Sequence, residues 1–146
     1  MHVLFVCTGN TCRSPMAKAI AESLIARRAS TQTVITVDSA GVAASDGYPA
    51  TNEAVEALNE RGIDLGGHQS KGLSAAVAAR ADLILAMTPS HIQGVAFHAP
   101  EAQGKVSLLN PNHPIGDPFG QPIEVYRDVA DELERLIQIK IEEICS

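Results

Sequence analysis

The sequence predicts an α/β fold, a parallel sheet with helices on both faces, in a single domain spanning residues 1–146. Three observations lead there. Short apolar, β-branched runs alternate with stretches of helical periodicity along the whole chain. Its 146 residues, 45% of them apolar, suffice for one core without disulfides or metals. No internal repeat, low-complexity tract or linker divides it.

Residues His2 to Val6 form a continuous apolar run with the pattern of a strand buried on both faces, ending at Cys7. A polar segment, Thr8 to Arg13, leads to Ser14-Pro15, read as a hydroxyl N-cap with proline at the first helical position. Met16, Ala17, Ile20, Ala21 and Leu24 repeat at helical spacing, so the first helix is expected to run to about Arg28. Thr33 to Val37 reads as a second strand, closed by a turn at Asp38-Ser39-Ala40-Gly41. A second helix is expected over Thr51 to Arg61, with Ala54, Val55 and Leu58 inward and Gly62 as its stop. A short helix over Leu73 to Ala79 then precedes a strand at Asp82 to Ala86. A modest helix from Pro89 to Phe97, a strand at Val106 to Leu109 and a long helix from Ile123 to Ile144 complete the order. In the last, Val129, Leu133, Leu136, Ile137 and Ile141 share one face. Such alternation implies parallel pairing through crossovers, with ligands bound at the carboxyl ends of the strands. Cys7 lies at such an end.

Composition narrows the function classes. Eleven basic residues against seventeen acidic give a net charge of −6, which argues against nucleic-acid binding. The opening Met-His-Val-Leu-Phe-Val-Cys lacks the basic leader and cleavage site of a signal peptide, and no apolar stretch approaches the roughly eighteen residues needed to span a bilayer. The expectation is a cytoplasmic protein with no membrane association. Cys7, Cys12 and Cys145 form neither a disulfide framework nor a zinc pattern, and His2, His91, His98 and His113 lack ligand spacing and are read as surface residues. No metal and no cofactor are expected.

The chemistry concentrates in Cys7-Thr8-Gly9-Asn10-Thr11-Cys12-Arg13-Ser14. A loop entering a helix turns several backbone N–H groups inward and adds the positive end of the helix dipole, a cradle for a tetrahedral oxyanion. Arg13 adds a planar fork able to hold two phosphate oxygens. Gly9 is expected to supply a turn conformation that a side chain forbids. The same positive field favours thiolate over thiol at Cys7, placing a nucleophile beneath a bound phosphorus. A lone cysteine at a strand end is ordinarily a small buried hydrophobe; the arginine six residues on and the helix start after it favour catalysis. The loop lacks the Gly-Lys-Ser/Thr ending of ATPase loops and the spaced glycines of a dinucleotide site.

The run Val6 to Pro15 resembles the signature of the low-molecular-weight protein tyrosine phosphatases, and the resemblance extends over the chain through Asp38-Ser39-Ala40-Gly41, Gly62-Ile63-Asp64-Leu65 with His68, and Asp117-Pro118. It implies a four-stranded parallel sheet with flanking helices and a cysteinyl-phosphate intermediate. It implies that Asp117, in a proline-stiffened loop, protonates the leaving group and then activates water, and that Ser14 helps the thiolate leave. It further implies that Asn10, Ser39 and His68 hydrogen-bond one another to support the loop. By local sequence alone Asp117-Pro118 is a turn element and His68 a loop histidine.

Two departures from the tyrosine-directed pattern bear on the substrate. Thr11 stands where a larger aliphatic residue is usual, and Asp117-Pro118-Phe119-Gly120 lacks the paired tyrosines that flank a phenol ring. These features resemble the bacterial protein arginine phosphatase branch, so phosphoarginine in proteins is the expected substrate and phosphotyrosine the alternative. Thr8, Gly9, Asn10, Thr11, Cys12, Ser14 and Phe119 are the expected substrate-binding residues. Cys12 is either a reversible disulfide partner of Cys7 or a packed thiol. An arsenate reductase of the same fold needs a further cysteine pair, which is lacking here. A phosphate-binding module without turnover needs no acid, so Asp117 counts against it.

Overall fold

The computed structural model describes residues 1–28 and 33–146. Strand β1 (His2–Cys7) leads into helix α1 (Arg13–Arg27), then β2 (Thr36–Gly41), α2 (Asn52–Asn59), α3 (Ala75–Arg80), β3 (Leu83–Ala86), α4 (Pro89–His98), a 3-10 segment (Pro100–Lys105), β4 (Val106–Leu108) and α5 (Ile123–Cys145). The four strands form one parallel sheet in the order β2-β1-β3-β4. The α/β expectation holds.

Strand alternation sorts the core into two layers, because successive side chains leave opposite faces of a strand. Val3, Phe5 and Cys7 of β1 join the side packed by α1, α2 and α5, with Met16, Ile20, Leu58, Leu133 and Ile137 among its members. Leu4 and Val6 face the other side, where Ala78 of α3, Val95 of α4 and Ala102 of the 3-10 segment close the layer. With both faces covered, β1 reads as an unbroken apolar run.

Chain order reverses at β1, where β2 leaves on one side and β3 on the other. A crevice is expected above the carboxyl end of such a strand. Cys7 pairs with Gly41 as the last step of the β1–β2 register, so the following loop begins there.

Three boundaries depart from the sequence reading. Asp38-Ser39-Ala40-Gly41 is the body of β2 and not its closing turn. Ala40 is fully buried, and pairing with β1 overrides the turn tendency of Asp and Ser. Ser14 is not the N-cap of α1; Cys12 holds that position, and the Ser14 hydroxyl is drawn into the loop. The third helix begins at Ala75, capped by Ser74, whose side chain accepts from the Val77 N–H. Leu73 instead packs in the core beside the bridge of Gly72 to Gly41.

Candidate active site

The loop Thr8–Cys12 is held from below by two backbone bonds: Val42 N–H donates to Cys7 O at 2.9 Å and Ala43 N–H to Thr8 O at 3.0 Å. Gly41 makes this approach possible. A Cβ at Gly41 would lie 2.5 Å from Thr8 O and 2.9 Å from Asn10 N, distances that atoms do not adopt. The strict glycine requirement therefore sits at Gly41, whereas a Cβ at Gly9 would make only ordinary contact, 3.7 Å from Thr11 Oγ1. Positive φ falls on Asn10 (57°), the one non-glycine residue with it among the described residues, so the expectation about Gly9 is corrected.

Fully buried, Asn10 has its amide orientation fixed by its partners. Its Oδ1 accepts from the Lys71 N–H at 2.9 Å, so Nδ2 is the donor to Ser14 Oγ (2.8 Å) and Ser39 Oγ (3.0 Å). His68 Nε2 donates to Asn10 O at 2.7 Å. Burial holds the His68 imidazole below its ordinary value of 6.5, against the pull of that bond. At Asp38 burial pushes the carboxyl up, but the Lys71 ammonium and the Ser39 N–H outweigh it and bring it below the usual carboxylate range. The three predicted supports, Asn10, Ser39 and His68, thus meet in one network.

Ser14 Oγ receives the Asn10 donor, which leaves its own hydrogen to give. Cys7 Sγ is 2.9 Å away and Ala40 O 3.5 Å, so the sulfur is the nearer acceptor. Cys7, 3% exposed, opens at the base of a cavity of about 240 Å³ lined by Thr8, Gly9, Thr11, Cys12, Arg13, Asp117 and Phe119. Among the described residues, no protein acceptor takes the backbone N–H groups of Gly9, Asn10, Thr11 or Cys12. Such donors beside a guanidinium suit an oxyanion.

Arg13 is buried and bridges the loop to the segment before α5. Its Nη1 donates to Ile115 O at 2.9 Å, and its Nη2 lies 3.7 Å from Asp117 Oδ2. Ile115 is fully buried, and its own N–H donates to Met87 O at 3.0 Å, which ties this segment to the end of β3. Two residues on, Asp117 projects over the cavity about half exposed, its Oδ1 accepting from the Phe119 N–H at 3.0 Å. Phe119 sits at the rim.

Cys12 lines the same cavity but its sulfur packs toward Tyr126 Oη (3.5 Å) and Thr51 Oγ1 (3.6 Å). Burial pushes the Tyr126 phenol up to about 12, so it stays protonated. Cys145 lies at the end of α5 and is not among the described residues lining this cavity.

Two features escaped the sequence reading. Tyr48, largely exposed, lines a groove of about 440 Å³ that shares Thr11 and Phe119 with the cavity, and nothing in its local sequence marks it. His91, expected at the surface, is only 2% exposed. Its Nε2 lies 2.8 Å from Thr8 Oγ1, and its Nδ1 receives the Thr88 N–H at 3.2 Å. Burial, and next the charge of Arg13, push its imidazole down from 6.5 to about 4 although Asp117 pulls the other way. A histidine three residues after Thr88, where the side chain reaches back to the helix start, was the available signal. Of the other histidines read as surface residues, His113 is exposed, whereas His2 and His98 are half-buried; His98 Nε2 donates to Val42 O at 2.8 Å.

Sheet order and loop together define a class: α/β proteins with a cysteine-bearing anion loop at the first strand-to-helix junction. The low molecular weight phosphotyrosine protein phosphatase profile matches residues 2–144. A protein-arginine-phosphatase of Bacillus subtilis is 43% identical, over 94% of this chain and 93% of its own length. The low molecular weight protein-tyrosine-phosphatase Etp of Escherichia coli K12 is 37% identical, over 93% of this chain and 89% of its own. A solved YwlE arginine phosphatase, a cysteine-to-serine mutant with a phosphorylated active site serine, superposes with a TM-score of 0.92 at 40% identity, covering 99% of this chain and 95% of that one. The chain belongs to the low molecular weight phosphotyrosine protein phosphatase family.

Proposed function

We propose that the chain, as one phosphatase domain in the cytoplasm, removes the phosphoryl group from phosphoarginine side chains of proteins. The observation that carries this is a single cavity that joins Cys7 and Arg13 with Asp117 and Thr11. Cys7 Sγ attacks phosphorus while Arg13 and the loop amides hold the equatorial oxygens. Asp117 gives a proton to the leaving guanidinium nitrogen, then takes one from the water that attacks the cysteinyl phosphate. Ser14 donates to the departing sulfur.

Substrate choice follows from the cavity mouth. A guanidinium presents N–H donors and needs acceptors, which the carbonyl oxygen of the protonated Asp117 carboxyl and the Thr11 hydroxyl provide. A phenol ring needs flanking apolar faces, and among the described residues Phe119 is the one aromatic lining this cavity. The B. subtilis relative named a protein-arginine-phosphatase supports the same choice.

Phosphotyrosine is the second reading. Tyr48 and Phe119 both line the neighbouring groove, an aromatic pair that could flank a ring. The test compares kcat/KM on phosphoarginine and phosphotyrosine versions of one peptide, for the unmodified protein and for Thr11→Ile. Preference for phosphoarginine, reversed or reduced about tenfold or more by Thr11→Ile, is expected. Preference for phosphotyrosine in the unmodified protein would overturn the substrate assignment.

A further inference from the structure

The hydrogen-bond inventory around Thr8 is asymmetric. Two Thr88 groups meet His91 Nδ1: the N–H at 3.2 Å, which can only donate, and the hydroxyl at 3.1 Å, which can donate as well, so an unprotonated Nδ1 satisfies both. The ring proton is therefore on Nε2. That nitrogen lies 2.8 Å from Thr8 Oγ1, so the hydroxyl oxygen accepts and its own hydrogen remains to be given. Among the described residues the Thr8 hydroxyl has no other protein partner, and Thr8 is exposed on the wall of the cavity beside Cys7 and Arg13. His91 is buried, on the first turn of α4, so it has little freedom to turn away.

We propose that His91, held in one tautomer by the start of α4, is a positioning residue that commits the Thr8 hydroxyl to donate to a phosphoryl oxygen of the substrate. This rests on the phosphatase reading and adds to it a side-chain donor in the loop, set from the opposite layer of the molecule. A threonine hydroxyl free to rotate would share its hydrogen among water and backbone acceptors. With its lone pair engaged by Nε2–H, it points toward the anion. A hydrogen bond to a charged oxygen is among the stronger ones, and its loss is expected to lower activity about ten- to a hundredfold.

The two ring nitrogens are separable by substitution. His91→Gln can keep a donor near the Nε2 position, whereas His91→Asn keeps polarity near Nδ1 and loses the donor to Thr8. Thr8→Ser keeps the hydroxyl; Thr8→Val removes it at nearly constant shape. Each variant and the Thr8→Val/His91→Asn pair would be assayed for kcat/KM on para-nitrophenyl phosphate, for calorimetric Kd of inorganic phosphate, and for thermal midpoint. Thr8→Val and His91→Asn are each expected to lose about ten- to a hundredfold in both kcat/KM and phosphate affinity. Thr8→Ser and His91→Gln should recover most of it, and the pair should lose no more than Thr8→Val alone. Phosphate affinity in Thr8→Val equal to that of the unmodified protein, or losses that multiply in the pair, would overturn the proposal. Should His91→Asn not fold, His91→Gln and Thr8→Ser against Thr8→Val still decide: phosphate affinity kept in the first two and lost in the third is expected, and affinity lost in His91→Gln would overturn the proposal. Absence of turnover by the unmodified protein would instead count against the phosphatase reading, leaving phosphate binding to judge this one.

Discussion

Single residues carry most of the site's legibility and its main misreading. Cys7 and Arg13 could be named from the chain because a thiol, an arginine and a helix start at close spacing have few other uses together, whereas Asp117, Thr11 and the role of Ser14 came from the family resemblance, since locally Asp117-Pro118 reads as a turn and Ser14 as a cap. His91 could not, because burial decides a histidine's role and burial is set by packing between α4 and the loop after β1. Its consequence is measurable. The folded ring titrates at about 4 and the unfolded one at 6.5, pushed apart by burial and by Arg13, with Asp117 the charge opposing them. Between these values the unfolded chain binds more protons, so the contribution of His91 to stability is complete above pH 6.5 and is lost as pH falls toward 4. The loss is up to about 3 kcal/mol over the window. Urea midpoints across this range should fall with acid in the unmodified protein and fall less steeply in His91→Gln; parallel curves would contradict the assignment of a buried neutral imidazole.

Among the elements, the long helix and the buried strands were legible and the edges were not. The apolar stripe of α5 follows from its period and β1 from a short continuous apolar run, and Val129, Leu133, Leu136, Ile137 and Ile141 are all buried as expected. Asp38-Ser39-Ala40-Gly41 misled because its residues favour turns locally, whereas in β2 they serve the sheet and the loop: Ser39 receives Asn10, Ala40 is core, and Gly41 gives the loop room. The 3-10 segment between α4 and β4 has no periodicity to reveal it. Gly41→Ala therefore belongs to this scale. Its methyl would meet Thr8 O, Ala44 Cβ and Asn10 N, all at 2.9 Å or less, so the β1–α1 loop must shift. The expected result is a loss of about 1–3 kcal/mol in stability with a larger proportional loss of phosphate affinity. Gly9→Ala, which meets only Thr11 Oγ1 at 3.7 Å, should cost less stability. Equal stability losses in urea titrations would contradict the difference drawn between the two glycines.

The whole molecule works as two layers converging on one strand end. The layer of α1, α2 and α5 brings Arg13 and the Cys12–Tyr126 contact; the layer of α3 and α4 brings His91; the segment before α5 crosses between them through Ile115 and delivers Asp117. No helix among the described residues is long and apolar enough to cross a membrane. The central claim is that this convergence makes Cys7 a nucleophile toward phosphorus. Its most direct test is to mix Asp117→Asn with para-nitrophenyl phosphate, quench in acid and map phosphorylation by mass spectrometry. A phosphoryl group on the peptide containing Cys7, absent in the Cys7→Ser/Asp117→Asn pair when the same peptide is examined for phosphocysteine, is predicted. Substrate turned over by the unmodified protein, with no phosphoryl group on Cys7 at any quench time, would contradict it.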